Sequence, residues 1–197
     1  LRPMARDIRS LARCIGLVLA ALMLASTVSC APAGAAVGDD RAGDSSVQSS
    51  GVERGDVSIG LVGSYTASAD DLVLDAYDSA GLKASYVSLR DTARPVAGAQ
   101  QAVRDLVSRQ VTVIAISGID ASQDKQGWAA ALQSARHAGI PVMLINPIRT
   151  PADMRLFAAA LTINDRATDA VPIDKATMLV VNDRPHARNM MVTTLKH

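Results

Sequence analysis

The chain has 197 residues, 49% of them hydrophobic and 20% charged, with a formal net charge of +1, three histidines and two cysteines. This length suits one domain with a real core and is tight for two, and so balanced a charge excludes an extended basic surface for nucleic acid. Both cysteines, Cys14 and Cys30, lie in the first 30 residues, so the remainder has no thiol for a disulfide or a cysteine-ligated metal.

The first element is an apolar run. Residues 15–30 follow Arg2, Arg6, Arg9 and Arg13 and end in small residues. A comfortable bilayer span needs about 20 apolar residues, so the run predicts a cleaved export signal over residues 1–29. Its end, Ser26-Thr27-Val28-Ser29-Cys30, resembles the bacterial lipobox, in which the cysteine is lipidated and becomes the first mature residue; Thr27 stands where leucine is usual. The resemblance implies lipidation at Cys30 and a place on the extracytoplasmic face of the cell membrane. An ordinary secretory signal ending near a cysteine is the alternative. The chain begins with Leu1, which leaves Met4 as another start. The signal carries four arginines and one aspartate, so its removal takes the formal charge from +1 to −2.

Residues 30–55 are rich in Ala, Gly, Ser and Asp. Such a stretch buries too little apolar surface to offset its chain entropy, and reads as a flexible, lipid-anchored linker. The domain is expected over residues 56–197. Val57–Val62 reads as a strand, and residues 68–80 as a helix with Leu72, Val73, Ala76 and Tyr77 on one face, capped by Gly81. Residues 84–89 predict a second strand, and residues 95–109 a helix with Val96, Val103, Leu106 and Val107 inward. Val111–Ile116 is a nearly all-apolar strand, as a sheet covered on both faces requires. Residues 124–138 form a third helix with Trp128, Leu132 and Ala135 on one stripe and Gly139 as its cap, and residues 140–145 a fourth strand.

Beyond that point the pattern is less regular. Thr150-Pro151-Ala152-Asp153 suits a helix start, and Leu156–Ile163 suits a fifth strand equally well. Val171-Pro172-Ile173 reads as loop, residues 178–181 as a strand and residues 186–195 as a short final helix. Alternating strands and helices predict the α/β class with a doubly wound parallel sheet, in which ligands sit at the carboxyl ends of the strands.

Four stretches carry a family resemblance: Val57-Ser58-Ile59-Gly60-Leu61-Val62 before a polar loop, Ala80-Gly81 before the second strand, residues 101–117, and residues 130–142 with the turn Ala138-Gly139-Ile140-Pro141-Val142. Together, over residues 56–165, they look like the amino-terminal lobe of type I periplasmic sugar-binding proteins, the solute-binding lipoproteins of ABC importers. The resemblance implies a single Rossmann-like lobe, with the second lobe missing or truncated. Residues 178–195 then begin that second lobe or add a sixth strand to the first sheet.

In such proteins the loops after the first four strands line a cleft, with an aromatic ring on the sugar's apolar face and polar side chains on its hydroxyls. The matching loops here offer Ser64 and Tyr65, then Asp91, then Ser117 and Asp120, then Asn146 and Arg149. Each has a plainer use: Tyr65 suits covering a helix end, Ser117, Asp120 and Asn146 are common turn formers, and Arg149 suits a solvated surface. A lone lobe offers half a cleft and predicts weak binding.

Catalytic signatures do not occur. The chain contains no Gly-x-Ser-x-Gly elbow, phosphate loop or His-Glu-x-x-His helix, and neither a nucleotide cofactor nor a metal is implied. His137 falls in the last turn of the third helix, where a cation suits the dipole. The loop Asn182-Asp183-Arg184-Pro185-His186 is the other polar cluster. The expected role is binding a small carbohydrate, with an ABC transporter permease and, through the lipid, the membrane as partners. The alternative is a degenerate lobe that serves as an envelope interaction or sensor module.

Overall fold

In the computed structural model, the described residues are 34–40, 51–66 and 69–195. Residues 1–29, read as an export signal, and Cys30 lie outside them. Among the described residues, seven strands form one all-parallel sheet in the order β2-β1-β3-β4-β5-β7-β6. They are β1 (Ser58–Val62), β2 (Lys83–Val87), β3 (Val113–Ser117), β4 (Val142–Ile145), β5 (Ala159–Ile163), β6 (Val171–Pro172) and β7 (Asn189–Thr193). The helices are α1 (Asp70–Ser79), α2 (Pro95–Ser108), α3 (Lys125–His137) and α4 (Ile173–Val181). This is the expected α/β lobe.

Successive side chains on the central strands go to opposite faces. Ile114, Ile116, Val142 and Leu144 join Val103 and Leu106 of α2 and Trp128, Leu132 and Ala135 of α3 on one face. Val113, Ala115, Met143 and Ile145 meet Val73 and Tyr77 of α1 and Ile173, Ala176 and Val180 of α4 on the other. β3 is buried at all five positions, because helices cover both its faces. Gly60 of β1 permits the approach of α2: a Cβ there would lie 2.6 Å from Leu106 Cδ2. Gly139 ends α3 with φ +70°, the left-handed conformation that glycine adopts without strain.

Four sequence expectations are corrected. Leu72 is 51% exposed, while α1 buries Asp70, Val73 and Tyr77. Residues 178–181 are the end of α4, not a strand, since Ile173, Ala176, Thr177 and Val180 are buried at helical spacing. Residues 186–195 contain β7 instead of a helix: Met190 and Val192 are buried and Asn189 and Met191 exposed, a period of two. Val171-Pro172, read as loop, pairs with Val192 and Thr193 as β6. The two readings of residues 150–163 both apply in part, as a 3-10 turn at Met154–Leu156 followed by β5. β7 pairs with β5, so the end of the chain adds to the first sheet.

Residues 34–40, part of the stretch read as linker, lie against the amino edge of the sheet. Ala36 is buried, and Gly38 (φ +75°) sits against Val180 and Pro141. Asp39 forms a buried ion pair with Arg188, which also donates to the carbonyls of Met154 (2.7 Å) and Phe157 (2.8 Å) and stacks over the Phe157 ring. Among the described residues no helix is long and apolar enough to cross a membrane.

Candidate functional site

In a parallel sheet whose strand order reverses, the loops at the carboxyl ends part at the reversal and leave a crevice there. Here β2 lies to one side of β1 and β3 to the other. The crevice therefore falls between the loops after β1 and β3, which carry Ser64 and Tyr65, and Gly118 to Asp124.

Gln123 joins the two loops. Its side-chain N–H groups reach Tyr65 Oη (3.5 Å) and Asp120 Oδ2 (3.1 Å). Asp120 Oδ1 accepts from the backbone N–H (3.0 Å) and hydroxyl (2.6 Å) of Ser122. The Ser122 hydroxyl and the Gln123 amide, with Arg149 also nearby, hold the Asp120 carboxyl below its usual range. Backbone bridging brings Asp120 and Arg149 side by side, and the Ala121 N–H donates to the Arg149 carbonyl at 2.9 Å. Tyr65, Ser117 and Asp120 also line a hollow of about 10 Å³ with Trp128 beneath. It has room for barely one water molecule, so the half-buried Tyr65 ring packs onto a filled core.

The other proposed residues are turned to different tasks. Ser64 is buried: its N–H donates to Asp70 Oδ2 (2.8 Å), and its Oγ accepts from the Thr66 N–H (3.1 Å). Asn146, at φ +44°, accepts the Ile163 N–H on its Oδ1 (2.8 Å), tying the end of β4 to β5. Asp91 is exposed in the loop after β2 and does not line the hollow. Arg149 is exposed. The structure thus brings Tyr65, Ser117, Asp120 and Arg149 together and leaves Asp91 apart.

Two residues that the sequence reading did not single out shape this edge. Gln123 stands three residues after Asp120, in a turn that its backbone N–H closes onto the Asp120 carbonyl at 3.2 Å. Asp70 opens α1 fully buried, and its Oδ2 accepts from both Ser64 and the Tyr86 hydroxyl (3.0 Å). Burial, and then this bond to Asp70, push the Tyr86 hydroxyl up.

The polar loop at residues 182–186 precedes β7 and therefore lies at the opposite, amino edge. There the backbone N–H of His186 donates to the Asp40 carbonyl (3.0 Å), and burial, then Asp40, raise the Asp183 carboxyl. A separate hollow of about 490 Å³ between α1 and α4 has the Arg54–Asp174 ion pair (2.8 Å) in its wall. Among the described residues no group of three or more metal-ligating side chains forms a cluster.

Strand order and crevice together define a single Rossmann-like α/β lobe with a polar, aromatic-flanked carboxyl edge. No family model matches the chain, and no curated protein does. Among solved structures it is similar to a galactofuranose-binding protein, at 21% identity over 55% of this chain and 36% of that one, TM-score 0.44. It is similar also to the periplasmic component of an arabinose ABC transporter from Shewanella sp. ANA-3, bound to L-arabinofuranose, at 15% identity, 70% and 55% coverage and TM-score 0.43. A solute-binding protein of an ABC transporter from Bacillus halodurans C-125, with bound myo-inositol, gives 16% identity, 65% and 43% coverage and TM-score 0.42. The chain spans between 36% and 55% of the length of these proteins.

Proposed function

We propose that the chain is the amino-terminal lobe of a sugar-binding lipoprotein of an ABC importer, held outside the cell membrane through Cys30, with a small carbohydrate at its carboxyl edge. The observation that supports this reading is the crevice between the loops of β1 and β3, where Tyr65, Asp120 and Arg149 converge from three separate strand ends. A ring offers an apolar face, while carboxylate and guanidinium match pairs of sugar hydroxyls. One wall leaves a bound sugar half solvated, so affinity in the lone lobe is weak and rises when a second wall closes over it.

A second reading has its own support. The Asp120 carboxylate and Asn146 Oδ1 are already engaged by protein donors, which suits a lobe that has given up ligand binding for a role as an interaction or sensor module. Calorimetric titration of the full chain with a panel of monosaccharides separates the two. Weak, saturable binding that Tyr65→Ala and Arg149→Ala both reduce supports the first. A flat panel favours the second, binding unchanged in both variants moves the site elsewhere, and submicromolar affinity in the lone chain refutes the half-cleft argument.

A further inference from the structure

The connection between β4 and β5 carries only a 3-10 turn, where the crossovers from β1, β2 and β3 carry helices. The missing helix leaves a cleft of about 450 Å³ beside α3. Its wall is largely apolar, with Trp128, Ala129, Pro151 and Leu156, and two cations, Lys125 and Arg149, stand among the lining residues. The carboxylate in the lining, Asp153, is taken in a two-pronged pair by Arg155, at 3.0 and 2.9 Å. The cations therefore dominate the polar character of the cleft.

Trp128 forms part of the apolar wall. It is 3% exposed, and its indole N–H has no acceptor among the described residues. An apolar wall and two cations ask for the same partner.

We propose that this cleft binds a small carboxylate with a flat apolar body. The ring lies against Trp128, Pro151 and Leu156, and the carboxylate oxygens meet Lys125 and Arg149. The site goes beyond the sugar edge: it shares Arg149 with that edge, but Ser64, Tyr65, Asp91, Ser117, Asp120 and Asn146 do not line it.

Trp128 is the chain's single tryptophan, so its emission reports directly on the cleft. The full chain is titrated with benzoate and, in parallel, with uncharged benzamide. Benzoate should give a saturating change in emission, with benzamide at least tenfold weaker. Lys125→Ala, at an exposed position, should weaken benzoate about fivefold, in line with one solvent-exposed charge contact. Ala129→Phe should block the cleft, and Tyr65→Ala should leave benzoate binding unchanged while weakening any sugar. The proposal is overturned if benzoate gives no saturable change, if benzamide binds equally well, or if Lys125→Ala binds benzoate like the parent chain.

Discussion

Truncating Ile114 to Ala tests the central claim of the fold, that β3 is sealed between two helical layers. Ile114 is fully buried in the cluster with Leu106 of α2 and Leu132 of α3, and β3 is flanked by β1 and β4. The substitution removes three carbons, about 2.4 kcal/mol of transfer free energy at roughly 0.8 kcal/mol each. Neighbours on both strands and both helices cannot all collapse into the gap, so a cavity cost adds to this. The total is about 3–4 kcal/mol, inside the usual range of about 2–5. Urea unfolding followed by circular dichroism should show a lower midpoint at unchanged slope. The melting temperature should fall by about 6–16 °C. Leu72→Ala, on the solvent side of α1, is the control and should stay within about 0.5 kcal/mol. A loss below about 1 kcal/mol for Ile114→Ala would refute the sealed-sheet reading.

Other outcomes follow from single contacts. Arg188→Ala removes the buried ion-pair partner of Asp39 and should cost about 3–5 kcal/mol; limited proteolysis should then cut faster within residues 34–40, and unchanged cleavage would mean that the pair does not hold that segment. Hydrogen bonds, from Arg155 to Asp153 and from Thr194 to Asp165, depress both carboxyls, Asp153 to about 2. Their stabilisation is present above the ordinary carboxylate pKa near 4 and is lost as pH falls toward 2. Thermal melts should therefore show a decline across that window that Asp165→Asn reduces. Tyr77 is held by burial at about 12, so stability should fall between pH 10 and 12 as its neutral form loses favour, with phenolate absorbance from this residue appearing only near pH 12. Cys30→Ala should shift the protein from the membrane fraction to the soluble fraction, or leave an uncleaved precursor; parent and variant partitioning alike would dismiss lipidation.

The first four strands and three helices were legible because local signals agreed. Val113 to Ile116 is too apolar for an exposed strand, and Gly81 and Gly139 both stand just past a helical stripe. The last third was not legible, because Met178, Leu179, Val180 and Val181 satisfy a strand pattern when taken alone. Only the wider spacing from Ile173 to Val180 reveals the helix. Residues 34–40 escaped for a different reason. Asp39 finds Arg188 across 149 positions, and no local pattern in an Ala- and Gly-rich stretch announces such a partner. At the carboxyl edge, the loops that carry polar groups were readable from strand ends. Which of those groups the protein keeps for itself was not, since the bond from Ile163 to Asn146 exists only after β4 and β5 have paired.

The placement of β7 between β5 and β6 has a bearing on self-association. An open strand edge is a template on which a second chain can add by backbone pairing, the first step toward aggregates. With β7 covering β5, the sheet closes on that side with β6, two residues long and half proline. Proline has no N–H to donate, so β6 itself offers an incoming strand almost no ladder to extend, although it covers only Val192 and Thr193 of β7. The opposite side ends in β2, five residues long, with Lys83 exposed at its start. Each outermost strand of this sheet therefore carries a residue that opposes unwanted growth, a proline in β6 and a lysine in β2.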